Sequence, residues 1–299
     1  MFTFEHTPKP IDLNYQAVID YLLYSSLFLA IAAMAKAYVS SVLQGVPVSA
    51  GACLIMFLGT FSIYNMNRKT DESEDAVNHA RRFAFTQKYA GLLWYSSFAG
   101  YGLALLLAWT YGPLAMAMTA IPLAAGILYS IPFLPAGFRY RRLKDIPLVK
   151  NLLVGLAWAV PVAFLPVACT GAPAGTMTFV AGFFFFLLSF INSTVFDIRD
   201  VEGDAGAGVR TLPVMLGIPR TKVLLSALNL AGIAGVLFFC AGTLPLVEML
   251  VIGAIAAYVQ GYVLFFNGTE LNRILYDLVA DGQNILLGGM MYLAVVCVV

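Results

Sequence analysis

Ala50-Gly-Ala-Cys-Leu-Ile-Met-Phe-Leu-Gly-Thr-Phe-Ser-Ile-Tyr-Asn-Met66 runs without a break into Asn67-Arg-Lys-Thr-Asp71-Glu-Ser-Glu-Asp75. The first part has nearly the length and apolarity of a membrane helix, which needs about 20 largely apolar residues. The second part is a dense polar block. If the helix continues, Asn67, Asp71 and Asp75 fall at i, i+4 and i+8 and stack along one face, drifting about 40° per step. One amide and two carboxylates on a face at the bilayer edge have the donor chemistry of a hard-cation site. Carboxylate and carbonyl oxygens suit Mg2+ or Ca2+, and Mg2+ commonly joins one or two carboxylates to substrate phosphates. A solvated polar loop after a span has the same composition, so the rest of the chain decides between the two.

Composition makes the membrane assignment general. The 299 residues are 61% hydrophobic and 11% charged, against about 25% charged in soluble domains. Mean hydropathy is +0.85. The net charge of +1 leaves no electrostatic footprint for nucleic acid. Cys53, Cys169, Cys240 and Cys297 lie singly in or beside apolar runs, as packing residues do, without the spacing of a disulfide framework or a soft-metal site. Met1 to Asn14 is polar and lacks the basic-then-apolar pattern of a cleavable signal.

Nine spans are predicted, at about 16–36, 47–66, 90–110, 113–131, 148–169, 175–196, 222–242, 245–266 and 282–299. Gly45-Val-Pro47, Tyr111-Gly-Pro113, Gly171-Ala-Pro173 and Gly242-Thr-Leu-Pro245 punctuate four connections that carry no charge. Of the 17 Lys and Arg residues, Lys9 precedes the first span and Lys36 ends it; the other 15 lie in or beside the connections after spans two, four, six and eight. The positive-inside rule then places the N-terminus and those connections in the cytoplasm and the C-terminus outside. The spacing also suggests a single domain over 1–299 made of two four-helix halves, 16–131 and 148–266, plus a ninth helix.

A second acidic block supports the duplication. Asn192-Ser-Thr-Val-Phe-Asp197-Ile-Arg-Asp200-Val-Glu-Gly-Asp204 ends span six as the first block ends span two. Asp200 and Asp204 are again i, i+4, with Asp197 one turn earlier. Two facing carboxylate ladders can hold two or more divalent cations, without which so many acids at a membrane surface would repel one another. Such a site receives a diphosphate. The loop after span four, with Tyr140 and Lys144 at i, i+4, offers a hydroxyl donor and a point-charge phosphate ligand. Its remaining cations, Arg139 and Arg141 among them, satisfy the positive-inside rule without further function.

Asn67-x-x-x-Asp71-x-x-x-Asp75 resembles the first aspartate-rich motif of the UbiA superfamily of intramembrane prenyltransferases, and Asp200-x-x-x-Asp204 resembles the second. Tyr140-x-x-x-Lys144 is similar to the family's short basic motif, and Ala205-Gly-Ala-Gly-Val-Arg210-Thr-Leu-Pro213 to the stretch after the second motif. The resemblance spreads over the whole chain. It implies an all-α polytopic membrane protein of nine transmembrane helices around a central cavity with a cytoplasmic cap. It implies Mg2+-dependent transfer of an isoprenyl group from a prenyl diphosphate to a lipophilic acceptor, an aromatic quinone precursor or a lipid-like molecule. Asn67, Asp71, Asp75, Asp200 and Asp204 would hold two Mg2+ ions, Lys144 and Tyr140 would contact the diphosphate, and Asp197, Arg82 and Arg210 would assist. Arg68 stands where the family often has Asp, and the spacing gives it no role. Trp94-Tyr95 and Phe183 to Phe186 are aromatic runs to which no catalytic role is assigned.

Two rivals use the same features. An ion-coupled transporter would suit intramembrane acids and repeats, but would want charges at the midplane of its spans. A membrane terpene cyclase or phosphatase would use the same metal chemistry without an acceptor.

Overall fold

The computed structural model describes residues 15–70, 80–130, 146–206, 208–268 and 273–298, with isolated positions 135, 137 and 143. Every regular element among them is helical. In chain order they are α1 (Tyr15–Tyr24), α2 (Leu27–Leu43), α3 (Ala50–Thr70), α4 (Ala80–Lys88), α5 (Ala90–Tyr111), α6 (Pro113–Ser130), α7 (Val149–Thr170) and α8 (Thr176–Arg199). The short α9 (Val201–Gly206) and α10 (Leu212–Leu216) follow, then α11 (Ile218–Cys240), α12 (Leu246–Phe265), α13 (Arg273–Tyr276), a π-helical turn at Asp277–Asp281, and α14 (Gly282–Val298).

Neighbours in sequence pack as neighbours in space. Contacts run α2–α3–α5–α6–α7–α8–α11–α12–α14 and close with α14 against α2. Outward faces carry Leu106, Trp109, Phe238 and Leu250, all largely exposed, as lipid-facing residues are. Among the described residues, six helices are long and apolar enough to cross a membrane, or seven if the bent pair α1–α2 forms one span; α6 is a shorter apolar helix. Inward positions are small where helices approach closely. A Cβ on Gly288 of α14 would stand 2.8 Å from Ala35 Cβ and 3.5 Å from Ala35 Cα. At the uncharged turns, Gly45 and Gly171 take φ of 64° and 71°, a conformation that costs a residue with a Cβ.

The first predicted span, 16–36, is corrected. The chain breaks at Ser25-Ser26, with Ser26 at φ 66°, and α1 and α2 meet at 62°. A break inside a membrane protein frees carbonyls that need donors, and α3 supplies them. Asn65 Nδ2 donates to Ser25 O at 3.0 Å, and Ser26 Oγ donates to Asn65 Oδ1 at 3.2 Å. Arg68 donates to Tyr24 O and, at 3.0 Å, to Leu23 O. Arg68, without a role in the sequence, thus caps the buried C-terminal end of α1. The break also moves Lys36, expected at the end of a span, to the middle of α2. The last helix likewise begins earlier than residue 282, through the π turn.

Candidate functional site

The ends of α3 and α8 both line a cavity of about 380 Å³. Its polar end is built by α7, α8 and the π turn. Arg199 donates through Nε and Nη2 to Asp200 Oδ1 and Oδ2 at 3.0 and 2.8 Å, and through Nη1 to Asp277 Oδ1 at 2.8 Å. The planar guanidinium fork therefore ties the end of α8 to the start of the last helix. One turn deeper on α8, Asp197 accepts from Lys150 Nζ at 2.8 Å and from Asn151 Nδ2 at 2.8 Å. Both its oxygens are engaged and its side chain is 3% exposed. Asn67, Arg68 and Arg82 also line the cavity.

Deeper, Asn192 Nδ2 donates to Asp281 Oδ1 at 3.2 Å, and Lys36 Nζ to Ser189 Oγ at 3.4 Å. The remaining wall is apolar and aromatic. Tyr64 and Trp158 stack with centroids 5.6 Å apart and planes 16° apart, and Phe196 lies under the Arg199 guanidinium at 4.6 Å. Lys36, Arg68, Arg82, Lys150 and Arg199 face Asp197, Asp200, Asp277 and Asp281 across the lining. That near balance of described charges is too small to compensate a fully ionised diphosphate ester unaided.

Of the residues singled out from sequence, Asn67, Asp197, Asp200 and Arg82 line this cavity. Asp204 follows Asp200 on α9, where its amide donates to Asp200 O at 2.9 Å. Its Oδ2 is buried without a hydrogen-bond partner. Burial pushes its carboxyl up to about 6, with Asp197 and Asp200 adding to the rise and Lys150 opposing it. Arg210 is exposed and outside the lining. Asp71, Asp75, Tyr140 and Lys144 lie outside the described residues. Among the described residues no three His, Cys, Asp or Glu side chains form a set able to hold a metal ion.

The donor set nevertheless suits a hard cation. Asn67 and Asp200, both oxygen-bearing, line one cavity, and the nearby Asp204 Oδ2 is buried without a hydrogen-bond partner.

The sequence missed Lys36, Lys150, Arg199, Asn192, Asp277 and Asp281. A lone cation or acid in or beside an apolar run was the available signal. Of the aromatic runs left without a role, Tyr95 and Phe183 are exposed, Phe184 and Phe185 are fully buried, and none lines the cavity.

The structure is thus a helical membrane protein whose cavity is charged at one end and apolar and aromatic along the rest of its wall. The chain matches the UbiA prenyltransferase family over residues 23–275. It belongs to that family and is a prenyltransferase. It is 26% identical over 248 residues to the digeranylgeranylglyceryl phosphate synthase of Thermococcus kodakarensis, covering 81% of each chain. To the enzyme of that name from Pyrococcus horikoshii it is 30% identical over 181 residues, 58% of each chain. A UbiA homologue from Aeropyrum pernix K1 superposes with a TM-score of 0.67 at 18% identity, over 90% of this chain and 98% of that one. A UbiA homologue from Archaeoglobus fulgidus, bound to GPP and Mg2+, superposes at 0.62 with 16% identity, over 91% and 99%.

Proposed function

We propose that the protein transfers an isoprenyl group from a prenyl diphosphate to a lipophilic acceptor within the membrane, with Mg2+, by ionisation of the allylic diphosphate. The observation that carries the reading is one cavity with a charged end at Arg199, Asp200, Lys150 and Asp197 and an aromatic wall at Tyr64 and Trp158. The proposed architecture has nine spans, N-terminus and active-site face cytoplasmic, with α3 and α6 completing the set. Asn67, Asp71, Asp75, Asp200 and Asp204 would hold two Mg2+ ions, which neutralise the diphosphate when bound. Lys144 and Tyr140 would contact the diphosphate from the loop after α6. The relatives are named for a lipid glyceryl phosphate, which favours a lipid-like acceptor over an aromatic one.

The chain's own residues do the remainder. Lys150 and Arg199, fixed by Asp197 and by Asp200 with Asp277, are preorganised cations facing the charge that develops on the departing diphosphate. Arg82 adds a third from α4. Asp197 acts through Lys150 as a positioning residue, since both its oxygens are occupied. The Tyr64–Trp158 pair offers ring faces to the allylic cation, and the apolar wall keeps water from capturing it.

The test uses purified protein in nanodiscs, labelled prenyl diphosphates and mixed lipid and aromatic acceptors. Transfer should require Mg2+ and be lost in Asp71→Asn and Asp200→Asn variants that remain folded. Full activity in both variants would sink the metal-site assignment. Diphosphate release without a prenylated product would favour a cyclase, and no release at all a transporter.

A further inference from the structure

Four described carboxylates line the cavity, and three of them are held by cations. Asp197 accepts from Lys150 and Asn151, Asp200 from two nitrogens of Arg199, and Asp277 from the third. Asp281 differs. Among the described residues its hydrogen-bond donor is the neutral Asn192, whose Nδ2 stands 3.2 Å from Oδ1. No described cation comes within 4.0 Å of it. Lys36 and Arg199 act on it through their fields, and Asp277 opposes them. Asp281 lies inside the bundle yet is partly accessible, and the surface it shows is cavity wall. Its second oxygen takes no hydrogen bond from a described residue. A charge compensated at a distance, with lone pairs left open, is an uncommon arrangement within a membrane, where acids without a close partner mark function.

The place of Asp281 fits one step of the transfer. Arg199 ties Asp277 to Asp200, so Asp277 marks the diphosphate end. Asp281 is one turn deeper, about 5 Å along the axis. The allylic carbon follows the diphosphate by one C–O bond and reaches the level of that turn. The acceptor's nucleophile must come within about 3–3.5 Å of this carbon. A second feature marks the same wall. Asn284, three residues beyond Asp281, lines the cavity at 4% exposure, and its Oδ1 is buried without a hydrogen-bond partner. Turning the amide over only exchanges an unmet acceptor for an unmet donor; either is a ready partner for a hydroxyl.

We propose that Asp281 is the general base that takes the proton of the acceptor's hydroxyl. The acceptor oxygen forms a bond to the allylic carbon. The carbon's bond to the diphosphate breaks, and its electron pair leaves on the diphosphate. The hydroxyl proton passes to the second oxygen of Asp281 and returns to water when the products leave. Asn192 holds the first oxygen and so fixes the carboxylate, while Lys36 offsets its charge until the proton arrives. Without a base, the new bond would leave an oxonium in an apolar cavity from which water is excluded. The departing diphosphate is a poorer proton acceptor, because Lys150 and Arg199 face its oxygens. The inference rests on the transfer reaction proposed above and narrows its acceptor to one that attacks through a hydroxyl.

A thiol acceptor separates a base from every other role, since a thiol with a pKa of about 8.5 is mostly thiolate at about pH 9.5. Wild type and Asp281→Asn in nanodiscs receive an ether-linked alkylglycerol phosphate or its thiol analogue, with the same labelled prenyl diphosphate and Mg2+. Asparagine keeps the shape of the side chain and cannot take the proton. Asp281→Asn should lower kcat for the hydroxyl acceptor by about 100- to 10,000-fold, with its KM and the kcat for the thiol each within about threefold. Asp281→Glu should recover part of the hydroxyl transfer. Both rates come from one preparation, so a loss of folded protein lowers them alike and leaves their ratio intact. Scrambling of the donor's labelled bridging oxygen, which reports ionisation without transfer, should continue in Asp281→Asn.

Equal losses with both acceptors, a hydroxyl rate that does not fall, or loss of the scrambling overturns the general base and leaves the transfer reaction standing. A wild type that transfers to neither acceptor overturns the transfer reaction, and the base with it.

Discussion

Replacing Asp197 by alanine removes a carboxylate that the fold has surrounded with donors. Lys150 Nζ and Asn151 Nδ2 each reach it at 2.8 Å, and its side chain is 3% exposed against 26% for Lys150. At an effective dielectric constant of about 20, opposite unit charges so placed attract by about 6 kcal/mol. Desolvation costs several kcal/mol per ion, so the intact pair stands near balance against two apolar residues. Truncating one partner is different. It strands a partly buried ammonium and a buried amide, at a cost of about 3 kcal/mol, the lower end for a broken buried pair. Asp197→Ala should therefore lower the apparent melting midpoint by about 5–10 °C. The double variant Lys150→Met/Asp197→Leu should recover most of that loss while remaining inactive. Gel filtration of the heated, detergent-solubilised protein, followed by its fluorescence, gives the midpoints. Wild-type melting of Asp197→Ala, or a double variant as unstable as the sum of the single ones, would refute the claim that mutual pairing holds these two residues.

Two further variants test the helix contacts around the cavity. Gly288→Ala should cost about 1–3 kcal/mol, because the new methyl would meet Ala35 Cβ at 2.8 Å with the α2 backbone behind it. Gly253→Ala on α12, with nothing within 4 Å, should be neutral or stabilising by up to about 1 kcal/mol; equal melting of the two variants would contradict the close α2–α14 contact. Arg68→Ala leaves the carbonyls of Leu23 and Tyr24 without their donor and should cost about 1.5–3 kcal/mol. Its melting midpoint is the measurement, and an unchanged one would mean that the α1–α2 bend stands without α3.

The apolar runs and the second acidic block at the end of α8 were legible because each is local: a run of about 20 apolar residues or a cluster of acids at its end is written in consecutive residues. The bend at Ser25-Ser26 was not, because its stability lies in donors from Asn65 and Arg68, some forty residues away. Misplacing that bend carried Lys36 to the wrong end of its helix and hid it from the cavity. Asp277 and Asp281 were passed over for a related reason: they precede the last apolar run, and the π turn that brings both to the cavity leaves no pattern in the residues themselves.

The sequence by itself determined a polytopic helical membrane protein, the ends of the helices at which its acids collect, and membership of a prenyl-transferring family. Those conclusions follow from residue types and their spacing along one helix. Tertiary structure decided which charges act together: Lys150 with Asp197, Arg199 between Asp200 and Asp277, and Lys36 beside Ser189 in the field of Asp281. The physical reason is that an ion's state inside a membrane depends on what stands within about 4 Å of it. Those neighbours come from other helices, whose approach is set by packing across the whole bundle.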